Sequence, residues 1–185
     1  MIRSLLLLLL LLGTWQTVAT AERGVVVSRN PDAAVRDDTY LLDLDIRYDF
    51  SDAVLEALDN GVPLTLVVTA QVRRQGAWIW ESNQADLRRM YLIRYQPLSE
   101  IYQVASLPDG ERRSFVSRSA AIAALGEIRD LPLVKLDRLE ADEEYLVRVK
   151  VELDIEALPL PLRPTAYLSR DWKLSSDWSE WPLEP

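Results

Sequence analysis

From Tyr40 to Phe50 apolar and polar residues alternate. Tyr40, Leu42, Leu44, Ile46, Tyr48 and Phe50 share one parity, and Asp43, Asp45, Arg47 and Asp49 share the other, with Leu41 the exception. Successive side chains of a strand point to opposite faces, so this pattern predicts a strand with one dry and one wet side. The same period returns in Leu64, Leu66, Val68, Ala70 and Val72 against Thr65, Thr69, Gln71 and Arg73, with Val67 breaking it. It is cleanest in Tyr145, Val147, Val149, Val151, Leu153 and Ile155 against Arg148, Lys150, Glu152, Asp154 and Glu156. Strands buried on both faces read as unbroken apolar runs, so these three predict half-wet, antiparallel sheets. Shorter stretches at 24–28, 77–81, 90–95, 101–107, 114–116, 133–136 and 167–174 predict further strands, with Pro108-Asp109-Gly110 as a turn. Many short strands at hairpin spacing describe a sandwich or barrel. The expected fold class is mainly β: an antiparallel β-sandwich, immunoglobulin-like in general architecture, with two short helices.

Those two helices are predicted where the alternation stops. Ser51 can cap residues 52–59, where Val54, Leu55 and Leu58 fall on one side and Asn60-Gly61 supplies a left-handed exit. Ser117 or Ser119 can cap a second helix to Ile128, striped by Ala121, Ile122, Leu125 and Ile128. Both are too short to be stable alone and must lie against the sheets. Residues 158–164, Leu-Pro-Leu-Pro-Leu-Arg-Pro, predict an extended, polyproline-like cover strip, because three prolines remove three backbone donors.

The N-terminus follows a different logic. Arg3, the leucine run at 5–12 and Ala19-Thr20-Ala21 match the charged, apolar and small-x-small regions of a secretory signal peptide. The leucine run rises only about 12 Å as a helix, well short of a bilayer. The expected organisation is a signal peptide over residues 1–21 and a single sandwich domain over 22–185, exported to a periplasm, with retention of the leader as an anchor as the other reading. Nothing later in the chain is apolar for long enough to span a membrane as a helix, so the exported form is not expected to be an integral membrane protein.

Composition narrows the chemistry. The 185 residues contain no His and no Cys, with a net charge of −8. Imidazole bases, thiol nucleophiles, disulfides and Cys/His metal sites are thereby excluded. The acidic balance argues against nucleic acid as a partner. Asp43, Asp45 and Asp49 form the densest acidic set on one strand and are the best carboxylates for a hydrolase or a hard cation, but Arg47 lies between them and is expected to pair with Asp45 and Asp49. The acidic run Glu140, Asp142, Glu143 and Glu144 reads as a solvated loop tip. Ser99, Ser117 and Ser119 stand in no Ser-x-x-Lys arrangement with Lys135, Lys150 or Lys173. No catalytic, cofactor-binding or metal-ligating residue is therefore nominated, and no cofactor is expected.

The aromatic residues are more informative. Trp78 and Trp80 share one face of a predicted strand, and flat indoles on a sheet build platforms for glycans or peptides as readily as they fill cores. Trp172, Trp178 and Trp181 are expected to pin the C-terminal tail to the body, or to dock a partner. These five are the candidate ligand or partner contacts.

Pieces spread along the chain, Tyr40-Leu41-Leu42, the stretch from Leu55 to Leu64, Trp78-Ile79-Trp80, Leu92-Ile93-Arg94-Tyr95, Ile101-Tyr102, Leu158 to Leu162 and the Trp172-to-Trp181 ending, together resemble an uncharacterised family of small exported proteins of Gram-negative bacteria, a domain of unknown function. The resemblance implies export and, through gene neighbourhood, a link to a sensor histidine kinase of the nitrogen-regulation type. It brings no catalytic residues. The function expected is a non-enzymatic periplasmic interaction module partnering an envelope or membrane protein. A glycan- or small-ligand-binding module using the surface tryptophans is the alternative, and a carboxylate-dependent hydrolase a more distant one. Oligomeric state is not legible in the sequence.

Overall fold

A computed structural model of the chain describes residues 24–27, 32–78, 83–108 and 110–183, so the expected signal peptide at 1–21 lies outside the described residues. In chain order the elements are β1 (Val25–Val27), β2 (Asp32–Arg36), β3 (Thr39–Tyr48), α1 (Asp52–Asp59), β4 (Leu64–Arg74), β5 (Ala85–Gln96), β6 (Ile101–Leu107), β7 (Arg112–Phe115), α2 (Arg118–Gly126), β8 (Glu127–Lys135), β9 (Tyr145–Leu153), α3 (Arg163–Leu168) and β10 (Ser179–Pro182). Among the described residues no helix is long and apolar enough to cross a membrane.

The fold is mainly antiparallel β, in two sheets that share one core. In the first, β3 is the spine. β8 pairs along it from Thr39↔Lys135 to Asp45↔Glu127, while β2 and β1 pair with its earlier and later parts. The second sheet has six strands in the order β10-β9-β4-β5-β6-β7, so β4 to β7 form a meander and β9 returns to the other side of β4. The alternations read from sequence are the reason for both sheets. Every inward residue of β9 from Tyr145 to Leu153 is buried and every outward one is partly exposed. Leu42 and Leu44 of the first sheet and Leu64, Leu66, Val68, Val147, Val149 and Val151 of the second belong to one apolar cluster.

Both expected helices form where their caps place them. The Ser51 hydroxyl accepts from the Val54 N–H at 3.3 Å, Val54 and Leu58 are fully buried, and Gly61 leaves the helix at φ +83°. The Ser117 hydroxyl accepts from the Ala120 N–H at 3.2 Å. Helix α2 ends on Gly126, short of the expected Ile128, which is instead the second residue of β8; a Cβ at 126 would sit 1.9 Å from the Ile46 carbonyl oxygen, so only glycine lets the helix close onto β3.

Several expectations of the strands and connector fail. Residues 77 and 78 are not strand and β5 begins only at Ala85; the rest of the expected 77–81 strand, including Trp80, lies outside the described residues. The proline-rich connector is not an extended strip: it makes a 3₁₀ turn at Leu160–Leu162 and then a third helix, α3, with Pro164 in its first turn. Proline is tolerated there because that N–H would have no intrahelical acceptor anyway. The expected strand at 167–174 is the end of α3 followed by a 3₁₀ turn at Arg170–Trp172. Finally, β8 starts well before residue 133. Its alternation is hidden because Asp130 takes φ +53° and the β3 register shifts twice alongside it.

Strand direction sorts the loops into two ends. At one end, here the Trp78 end, lie the β4–β5 and β6–β7 connections, the start of β9 and the finish of β10. At the other, the Leu98 end, lie the β5–β6 turn, the exit of β7, the exit of β9 and the helix α1 that feeds β4.

Candidate functional site

A cleft of about 790 Å³ opens at the Trp78 end. Four separate pieces of chain meet there. The β2–β3 hairpin contributes Tyr40, the β4–β5 loop Gln75, the β8–β9 connection Leu136 to Glu144, and the tail Pro182 and Leu183. Backbone hydrogen bonds lock the pieces together. Leu136 N–H donates to the Asp38 carbonyl at 2.9 Å, Gln75 N–H to Glu144 at 2.8 Å, and Leu183 N–H to Tyr145 at 2.8 Å. The Tyr145 hydroxyl accepts from the Glu140 N–H at 3.0 Å, and Arg74 pairs with Glu143 at 3.1 Å.

The result is an apolar floor under an acidic rim. Tyr40 and Tyr145 are buried at its base, Leu139 and Leu183 are half-buried, and Glu140, Asp142 and Glu144 stand in solvent around it. The acidic run that reads as a plain loop tip in the sequence is thus the wall of a cleft. Sequence reasoning missed this because the floor comes from residues far apart in the chain, and each contributes only one or two side chains.

The tryptophans separate. Trp78 is 66% exposed on the β4–β5 loop, the same loop that gives Gln75 to the cleft. Arg73 holds this loop by donating to the carbonyls of Ala77, at 3.2 Å, and Trp78. Trp80 lies outside the described residues. Trp172 is 5% exposed and belongs to the core, so it is corrected from a candidate contact to a packing residue. The Trp178 ring lies under the Arg148 guanidinium at 4.7 Å, and Arg148 Nε also stands 2.6 Å from Glu180. Trp181 is half-buried on β10 opposite Val147. These three tryptophans pin the tail.

The strand carboxylates do not converge: Asp43 and Asp45 are engaged elsewhere and Asp49 stands exposed. Asp43 accepts from the Asp130 N–H at 2.8 Å, and Asp45 pairs with Arg129 of β8 at 2.6 Å, not with Arg47 as expected. That pairing holds the Arg129 guanidinium above its ordinary pKa. Among the described residues no three acidic side chains gather to hold a metal ion.

Two smaller clefts flank α2. One, about 500 Å³, lies against β3 and is lined by Ile46, Tyr48, Ile122 and Gly126 with Asp45, Arg47 and Glu127 at its rim. The other, about 340 Å³, lies towards β5 and β6 and holds Tyr91, Ser106, Arg113 and Arg129. Their charges are largely matched: Arg113 lies 3.6 Å from Glu127, and Arg129 binds Asp45. Burial raises the pKa of the Tyr91 hydroxyl. The Trp78-end cleft, where Glu140, Asp142 and Glu144 have no ion-pair partner among the described residues, is the stronger candidate site.

No curated protein and no solved structure matches the chain. A family model does, over residues 25–182, from the first residue of β1 to the last of β10. The chain belongs to this family, described as a domain of unknown function, DUF4390.

Proposed function

We propose that the protein is a non-enzymatic periplasmic interaction module that docks an envelope protein at the Trp78 end. The observation that carries this reading is the cleft of about 790 Å³ with an apolar floor and Glu140, Asp142 and Glu144 around it. Such a groove suits a segment with one or two apolar anchors flanked by Lys or Arg, because the anchors bury area while the rim steers basic charge and rejects acidic competitors. The resemblance read from the sequence favours the outer domain of a membrane sensor histidine kinase as that partner.

Site-directed photocrosslinking in envelope preparations tests this. A crosslinker at Ala141 is expected to capture a specific protein, and the combined Glu140→Lys, Asp142→Lys and Glu144→Lys variant to lose it while keeping its fold. Capture of nothing specific, or capture unaffected by charge reversal, refutes the reading. A second reading, a glycan platform, draws on the exposure of Trp78 beside the cleft. Titrating tryptophan fluorescence with cell-wall fragments decides it: a response lost in Trp78→Ala supports the platform, and a flat response ends it.

A further inference from the structure

The opposite end of the molecule carries a different kind of surface. Leu98, Val116, Leu168 and Leu160 are the four most exposed large apolar residues among those described, each at 72% or more. They come from three unconnected pieces of chain: the β5–β6 turn, the exit of β7, and the segment after β9. Strand direction brings all three to the Leu98 end, and Tyr167, half-exposed on α3, joins them.

This end is held as one body. Asp59 at the close of α1 accepts from the Tyr102 hydroxyl at 2.8 Å and pairs with Arg118 at the start of α2. Gly61 lies against Pro97 of the β5–β6 turn. The Ser51 hydroxyl donates to the Asp171 carbonyl at 2.7 Å, tying α1 to the segment after β9. The exposed leucines therefore project from a braced platform.

What faces that platform is indicated by where the chain enters. β3 runs from Tyr40, in the cleft, to Tyr48 and on into α1. β1 is antiparallel to it, and Asp49 N–H donates to the Gly24 carbonyl at 3.0 Å. The chain before Gly24, which contains the leucine run at 5–12, therefore joins the domain at the Leu98 end. From these two observations, taken with the reading in which the leader is retained as an anchor, we infer that the Leu98 end rests on a lipid bilayer surface, with Leu98, Val116, Leu160 and Leu168 dipping into the headgroup region. Apolar side chains on loop tips gain free energy there without crossing the membrane. The chain's negative charge means that this contact is apolar rather than electrostatic and persists at high salt. The inference does not depend on the reading of the cleft, although it would turn the cleft away from the membrane.

The chain has no cysteine, so a single label can be placed anywhere. Full-length protein labelled with an environment-sensitive fluorophore at Leu98→Cys, Leu168→Cys, Gln75→Cys or Ala141→Cys is mixed with phosphatidylethanolamine–phosphatidylglycerol vesicles carrying doxyl-labelled lipid. Quenching is expected to be several-fold stronger at 98 and 168 than at 75 and 141. In a Leu98→Asp, Leu160→Asp background the quenching at 168 should fall several-fold, as loss of buried leucine area requires. No quenching at 98 and 168, equal quenching at all four sites, or a lipid-independent shift at 98 and 168 from pairing of two copies would each overturn the inference.

Discussion

The Tyr48 hydroxyl is buried and has no hydrogen-bond partner among the described residues, while its ring stacks on Phe50 at 5.5 Å. An unsatisfied buried hydroxyl gives up its hydration for nothing, at a cost of about 1–3 kcal/mol. Tyr48→Phe keeps the ring stack and removes the orphan, so its urea unfolding midpoint should rise by the equivalent of about 1 kcal/mol. The pH dependence follows from the same group. Burial raises its pKa well above the ordinary 10.0, so the folded state holds the proton after the unfolded chain has lost it. Stability is then complete below pH 10 and falls as pH rises beyond it, because the unfolded state binds fewer protons there. Tyr102, pushed up to about 12 by burial and by the Asp59 carboxylate, adds to the same loss. Unfolding measured from pH 7 to 11 should show a shallower alkaline decline in Tyr48→Phe than in the parent, and an equal decline would assign the loss to Tyr102 and Tyr91 instead.

At the scale of elements the two capping serines look alike in the sequence but differ in what they hold. The Ser117 hydroxyl accepts from Ala120 and shares a bond with the neighbouring Ser119 hydroxyl at 3.3 Å, both at the protein surface. Ser51 is buried, accepts from Val54 and also donates to the Asp171 carbonyl, 120 residues away in sequence. Ser117→Ala should cost about 1 kcal/mol. Ser51→Ala should cost about twice that, since it removes a cap and leaves a carbonyl without its donor; equal melting temperatures in the two variants would contradict the second role. The pair also shows what a sequence reveals. Period-two patterns and caps are local, so β3, β4, β9 and both capped helices can be read in advance, although β9 stops at Leu153 rather than running on through Ile155, and α2 at Gly126 rather than Ile128. β10 could not be, because Ser179–Pro182 has no pattern of its own and is a strand only by lying along β9. The same holds for the site. Trp78 and Trp172 both fall in stretches expected as short strands, 77–81 and 167–174, and only packing decides that one is exposed and the other is core. The cleft was invisible for the stronger reason that its floor is assembled from four distant segments.

Over the whole molecule, β10 is where stability and the candidate site meet. Its residues cover the outer edge of β9, and just before them the Ser176 hydroxyl accepts from the Val151 N–H at 3.0 Å in a buried position. The last residue of β10, Pro182, and the following Leu183 close the floor of the acidic-rimmed cleft. Two contacts could hold the tail: the Glu180–Arg148 ion pair at 2.6 Å, or the packing of Trp178 and Trp181 with the backbone pairing of the strand. The Glu180 side chain is 46% exposed, and ion pairs of that kind contribute about 0–1 kcal/mol. Packing should therefore dominate. Glu180→Ala is expected to melt within a few degrees of the parent and to keep any crosslink at Ala141. Truncation after Asp177 should lower the melting temperature much further, and the unpaired β9 edge should promote concentration-dependent association. It should also abolish the Ala141 crosslink even below its melting point, because the whole tail-side floor is gone. If Glu180→Ala proved as damaging as the truncation, the charge pair rather than the strand would be the clasp, and the cleft would depend on ionic strength in a way that apolar packing does not allow.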